Sequence, residues 1–349
     1  MAATPDFQRI LVRSTNWVGD AVMSLPALRA LRERFPKAHI AVQARPWVAD
    51  LYFRESFADR VIPYAASPGA RDWSSKWNAG RELSRDSFDC AILLPNSFDA
   101  ALIVWLARIP SRIGYSRDAR RILLTHAVPP PAAGEIPRHE RYYYLELLRR
   151  AGMLEALPEA EPILLDAVSA ARQSGRRRFE ELGLRGPVVG VSPGAAYGTA
   201  KRWLPERFAE AAARVASQQE ADVAVFGSAG ERGVCEQVEA GVRYAGRRAI
   251  NLAGATTLAG FIDMAAVCEL FLTNDSGAMH IASALGVPTV AVFGATDYET
   301  TGPSGPIVRV IREPVECSPC LLRECPIDHR CMIRVSAERV AAEALDLLK

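Results

Sequence analysis

No apolar run in this 349-residue chain approaches the ~18 residues that a membrane-spanning helix needs. The opening Met1-Ala2-Ala3-Thr4-Pro5-Asp6 has neither a basic region nor an apolar stretch, so no secretory leader is read and a cytoplasmic protein is expected. Excess charge is also missing. The 42 Lys+Arg against 40 Asp+Glu leave a net charge of +2, too weak a field to argue for nucleic acid. There is no tandem repeat and no extended low-complexity segment. Two glycine-rich phosphate patterns, G-x-x-x-x-G-K-[ST] and G-x-G-x-x-G, are absent, which removes the P-loop nucleotidases and the ordinary dinucleotide fingerprint. Seven cysteines in a reducing compartment are not expected to form a disulfide framework.

What remains is the composition of a soluble globular chain, 49% hydrophobic and 23% charged, long enough for two domains. Strand and helix signals alternate. Strands are expected at 10–13, 39–44, 90–94, 188–192, 222–226, 249–252, 270–273 and 289–293. Helices are expected at 21–34, 99–107, 140–151, 168–182, 205–217, 231–240, 258–267 and 336–348. Such alternation predicts α/β domains with parallel sheets and right-handed crossovers. The division is placed at 165/166, within the 162–187 stretch where Pro162 and Gly186-Pro187 flank one helix. It gives domains 1–165 and 166–349, two Rossmann-like units facing each other across a cleft.

Ligands of open parallel sheets bind beyond the carboxyl ends of the strands. Four strand ends here run into small or polar turns. The most informative is Leu272-Thr273-Asn274-Asp275-Ser276-Gly277-Ala278-Met279-His280, a strand that ends at Asp275 and turns through Ser276-Gly277 into a short helix. Its free N–H groups suit an anion and Asp275 suits sugar hydroxyls, which together suggest a nucleotide-sugar. His280, one turn further, could donate to phosphate. The loop from Pro193-Gly194 to Lys201 supplies a flexible ammonium for a diphosphate. Another strand runs into Gly227–Glu231. Asp20, opening the first helix, could act as a general base on an acceptor hydroxyl. The plain alternatives are helix caps at Asp20 and Asp275, a solvated Lys201 and a packed His280. Cys317, Cys320, Cys325 and Cys331, with His329 inside the last interval, could hold a structural zinc, do redox or disulfide chemistry, or be reduced thiols in a packed loop; the last is preferred.

Taken together, Arg13–Leu28, Ser192–Ala195 with Lys201-Arg202-Trp203, and Thr273–Ala284 resemble the ADP-heptose:lipopolysaccharide heptosyltransferases of glycosyltransferase family nine over nearly the whole chain. Leu94–Leu102, Arg112–Tyr115 with Arg120-Arg121, and the cysteine cluster resemble its heptosyltransferase II branch. The resemblance implies a GT-B fold and a metal-independent, inverting transfer of heptose from ADP-heptose to the first heptose of the lipopolysaccharide inner core, on heptosyl-Kdo2-lipid A. It makes Asp20 the base and assigns the donor to Gly194, Lys201, Glu231, Asp275, Ser276, Gly277 and His280, with Glu231 toward ribose. No cofactor and no active-site metal are expected. The acceptor is embedded in the inner face of the cytoplasmic membrane, so peripheral contact there is expected. Residues 1–165 carry 22 Lys+Arg against 18 Asp+Glu, a bias that fits an anionic partner. Candidate acceptor contacts are Arg45, Asn96, Arg112, Arg120 and Arg121. The C-terminal helix is expected to cross back to the first domain, and the cysteine loop to anchor that crossing away from the chemistry. Competing readings are a family-nine transferase with a different core acceptor, a nucleotide-sugar epimerase of the same architecture, and a non-catalytic nucleotide-sugar-binding protein.

Overall fold

The computed structural model describes residues 6–65 and 72–349; Met1–Pro5, where a leader was sought, lie outside them. Two compact units form, Met1–Ala160 and Glu161–Lys349. The first holds six parallel strands: β1 (Arg9–Arg13), β2 (His39–Ala44), β3 (Arg60–Pro63), β4 (Cys90–Leu93), β5 (Ser111–Tyr115) and β6 (His126–Val128), in the order β3-β2-β1-β4-β5-β6. The second holds β7 (Val188–Ser192), β8 (Asp222–Val225), β9 (Ala249–Asn251), β10 (Leu270–Asn274), β11 (Thr289–Phe293) and β12 (Val308–Arg312), in the order β12-β11-β10-β7-β8-β9. Each sheet has the doubly wound order, and the two together make the two-domain GT-B architecture.

The inner strands are continuous apolar runs because helices cover both faces of a parallel sheet. Val12 pairs with Val42 on one side and Ile92 on the other; Leu272 pairs with Val191 and Val290. In the second unit the helix Pro205–Gln218 buries Phe208, Ala209, Ala212, Val215 and Ala216 at helical spacing. Its small residues let Arg232–Tyr244 approach closely: a Cβ on Gly241 would lie 2.6 Å from the Ala209 Cβ. The C-terminal helix Ala337–Asp346, expected to cross back, instead packs on Pro205–Gln218, β11 and β12 and buries Val340, Ala341 and Ala344 in that same core.

The sequence reading missed β3, β5, β6 and β12, and the helices Pro46–Tyr52 and Trp73–Leu83. All four strands lie in the outer parts of their sheets, and each has partly exposed positions, so none shows an unbroken apolar run.

Candidate active site

Strand order reverses between β1 and β4 and again between β7 and β10. A crevice opens beyond the carboxyl ends of such a pair. The expected residues collect at these two places.

In the first unit β1 runs into Ser14-Thr15-Asn16. The buried Ser14 donates its backbone N–H to the Gln43 carbonyl at 3.0 Å and its hydroxyl to Tyr52 at 3.0 Å. Asp20 lies half-buried in the first turn of Val18–Arg34, where the helix dipole favours a carboxylate. The helix Arg141–Arg150 packs on this one and is preceded by Glu140. Burial, and then the charge of Asp20, push the Glu140 carboxyl up to about 7 against the pull of Arg117. The fully buried Tyr144 phenol is raised well above its ordinary range by burial, then by Asp20 and Glu140. The charge of Asp20 thus acts on both groups, as expected where one of two neighbouring carboxyls holds its proton near neutral pH. Glu140 was missed in the sequence because nothing local marks it; only helix packing brings it to Asp20.

The proposed acceptor residues divide. Arg45 donates from Nε to the Asn16 side chain at 3.3 Å and lies over Trp47 and Tyr64, with ring centroids 5.6 and 5.3 Å away. Asn96, just beyond β4, donates to the Tyr143 hydroxyl at 2.9 Å. Arg120 is completely buried and donates to the carbonyls of Tyr115 and Pro95 and to the Asn96 side chain, so it positions Asn96 and is not a surface contact. Burial lowers its guanidinium to about 10. Arg112 is half-exposed and donates to the carbonyls of Leu123 and Ile109. Arg120 departs from the expectation of a surface contact, because a buried guanidinium's donors must be satisfied by the protein itself. Arg121 is exposed.

In the second unit Lys201 reaches back across the β7/β10 pair, its Nζ 2.6 Å from Asp275 Oδ2, with side-chain exposures of 13% and 5%. Thr296, at the end of β11, donates to the same oxygen at 2.6 Å, and Thr301 at 3.5 Å. Asp275 is therefore held by a cation and hydroxyls, not by the cap that was its plain alternative. Ser276 opens the helix Gly277–Ala284 without a side-chain cap, its hydroxyl lying 3.2 Å from that of Thr273. The first N–H groups of this helix, which begins two residues beyond Asp275, thus have no side-chain acceptor from the N-cap. His280 is buried in the body of the helix. Asn274, unremarked in the sequence, locks the two turns together: it accepts from the Trp203 N–H at 2.9 Å and donates to the Pro193 carbonyl at 2.7 Å.

Glu231 closes a capping box, one carboxylate oxygen accepting from both Ser228 N–H and hydroxyl at 2.8 Å. Its other oxygen fills the space beside Gly194, where a Cβ would lie 2.1 Å from it. Glycine is required at 194 because a carboxylate occupies that space.

The cysteine loop touches the loop that carries Lys201 through residues other than its cysteines. The Arg323 carbonyl accepts from Ala200 N–H at 3.0 Å, the Leu321 carbonyl from the Tyr197 hydroxyl at 2.9 Å, and the His329 ring meets the Ala200 carbonyl at 3.0 Å. The Tyr197 ring in turn lies 4.9 Å from Lys201 Nζ. All four cysteines are free, and Cys331 is raised by burial and then by the other three. Among the described residues no group of three or more His, Cys, Asp or Glu is placed to hold a metal ion.

Residues 76–330 match the model of glycosyltransferase family 9 (heptosyltransferase). The chain is 33% identical over 308 residues to the lipopolysaccharide heptosyltransferase 2 of Salmonella typhimurium, covering 87% of this chain and 88% of that one. It is 32% identical over 316 residues to the lipooligosaccharide heptosyltransferase 2 of Haemophilus influenzae, with the same coverage. Its fold superposes on the structure of the E. coli ADP-heptose lps heptosyltransferase II with a TM-score of 0.81 and 30% identity, covering 98% of each chain. With strand-end turns, sheet order and these likenesses in agreement, the chain belongs to glycosyltransferase family 9, the heptosyltransferases.

Proposed function

We propose that this glycosyltransferase moves heptose from ADP-heptose onto the first heptose of a heptosyl-Kdo2-lipid A acceptor, adding the second inner-core heptose. The reading also places it in the cytoplasm, in peripheral contact with the inner face of the membrane. The supporting observation is the Lys201–Asp275 pair beside an uncapped helix N-terminus at the β7/β10 switch point. A diphosphate would take over the ammonium now held by Asp275 and accept from the first N–H groups of Gly277–Ala284. Asp275, released, would accept from donor hydroxyls, as would the Glu231 oxygen beside Gly194. Asp20 would take the proton of the acceptor hydroxyl as its oxygen attacks the anomeric carbon from the face opposite the diphosphate. ADP would leave with its charge met by Lys201 and the helix dipole. No divalent ion is required in that scheme.

The names of the relatives above support the same donor and step. The test is incubation with ADP-heptose and defined truncated core acceptors, with product mass as readout. One heptose should be added to an acceptor that already carries one. Transfer only to a heptose-free acceptor would make the chain a first heptosyltransferase, and conversion of the donor without transfer would make it an epimerase.

A further inference from the structure

A lipid-linked acceptor must be met at a bilayer, and the inference drawn here rests on that reading of the acceptor. The helix Trp73–Leu83 has two unlike faces. Lys76, Ala79, Gly80 and Leu83 are buried. The close approach of the helix Phe98–Leu106 explains the glycine, because a Cβ at Gly80 would lie 2.7 Å from the Leu106 Cβ. The outer face carries Trp73, Trp77 and Arg81 at intervals of four, one stripe along the helix, with Arg85 in the turn that follows. Trp73 is 52% exposed and Trp77 53%. Trp105, on the neighbouring helix, is exposed as well. Trp77 and Arg81 line a hollow of about 540 Å³ together with Leu106 and Arg108.

Of the six tryptophans in the chain, five lie in this unit, and all five are exposed. Burying an indole normally gains more than leaving it in water. The arginines beside the stripe are exposed as well. Elsewhere in this unit Arg29 pairs with Glu55, Arg32 with Asp59, Arg60 with Asp86 and Arg150 with Glu146. Among the described residues Arg81, Arg85 and Arg108 have no carboxylate partner. Of the acids nearby, Asp86 pairs with Arg60 and Asp99 with Lys76, which leaves Asp72 and Glu82 against the three arginines.

Amphipathic rings at the headgroup level with guanidinium groups among them form the pattern of a surface that settles into an anionic interface. We infer that the Trp73–Trp77–Arg81 stripe, flanked by Arg85, Arg108 and Trp105, docks the first unit on an anionic bilayer. The hollow between Trp77 and Arg108 would receive a headgroup phosphate. A second copy of the chain would need acids to match three unpaired arginines, and the stripe itself offers none.

The test uses the full chain and vesicles of phosphatidylcholine with or without phosphatidylglycerol. Co-sedimentation should show binding to the mixed vesicles that falls with salt, and weaker binding to pure phosphatidylcholine. Tryptophan emission should shift to the blue on the mixed vesicles. Each arginine near such a surface is worth about five-fold in partitioning, so Arg81→Gln/Arg108→Gln should weaken binding about 25-fold. Trp73→Ser/Trp77→Ser should weaken it and abolish most of the blue shift. Both variants should keep wild-type turnover on a soluble, delipidated core acceptor, which also shows that they fold. Equal binding to both vesicle types, or variants that bind like wild type, would overturn the inference while leaving the transfer reading intact. Loss of a dimer in the tryptophan variant, with vesicle binding unchanged, would reassign the stripe to self-association. Absence of turnover in the wild type would instead remove the transfer reading on which the docking surface rests.

Discussion

Glu140 gives the sharpest prediction, because its effect changes sign-definitely with pH. Its carboxyl lies at about 7 in the folded chain, pushed up from 4.5 by burial and by Asp20. Below pH 4.5 the group is protonated folded and unfolded alike, and burial carries no ionisation penalty. Between 4.5 and about 7 the unfolded chain releases the proton while the folded chain keeps it, so stability falls as pH rises. Above about 7 the penalty is complete. The full difference corresponds to at most about 3 kcal/mol. Partial exposure and the nearby Arg117 give the charge an outlet, so about 1–2 kcal/mol is the working figure. Glu140→Gln keeps the shape and removes the titration. Urea unfolding of both proteins at pH 4.5, 6, 7 and 8 should show curves that coincide at the acid end and separate progressively, with the variant more stable at pH 8. Adding Asp20→Asn should shrink the separation, since the second cause of the shift is then gone. Parallel stability curves across this range would refute the reasoning and mean that Glu140 ionises normally.

Asp20→Asn should lower turnover by roughly 10²–10⁴-fold with ADP binding little changed; near-normal turnover in the folded variant would remove Asp20 as base. Lys201→Met leaves the nearly buried Asp275 carboxylate with hydroxyl partners only, and should cost about 2–4 kcal/mol of stability by thermal melting. Lys201→Met/Asp275→Asn should recover most of that stability but not turnover, whereas equal loss of melting temperature in single and double variants would show that the pair is not coupled. Turnover should survive EDTA, because the leaving charge is assigned to Lys201 and a helix N-terminus; loss restored by magnesium would mean a different donor site. Cys317→Ser/Cys320→Ser should keep kcat within a few-fold but raise KM for the donor through the loop contacts at Ala200, checked by steady-state kinetics alongside elemental analysis for zinc.

The inner strands were legible because burial on both faces writes them as short apolar runs: Ile10–Val12, Cys90–Leu93, Val188–Val191 and Leu270–Leu272 are all buried. The outer strands were not, since Arg60, Arg112, Arg309 and Arg312 interrupt them and half-exposed positions tolerate such residues. Within the site, Asp20, Lys201 and Asp275 could be read because each lies in a turn directly after a strand, where the fold itself puts ligands. Glu140 and Thr296 could not. Their relation to the site comes from helix packing and from the end of another strand, and no short spacing encodes it. The burial of Arg120 was hidden for the converse reason: it looks like a surface charge in sequence, yet five donors on a planar fork can also tie carbonyls together inside a protein.

The grip of the 318–329 segment on the loop carrying Lys201 has a consequence for how this chain can vary. Two of its holds use main-chain oxygens, those of Leu321 and Arg323, and the third is the His329 ring at the Ala200 carbonyl. A carbonyl is the same in every residue. Side chains at 321 and 323 can therefore drift without loosening those holds, while removal of a residue between Ser318 and Leu321 shifts both carbonyls out of register. Length, more than identity, is the heritable quantity in this segment.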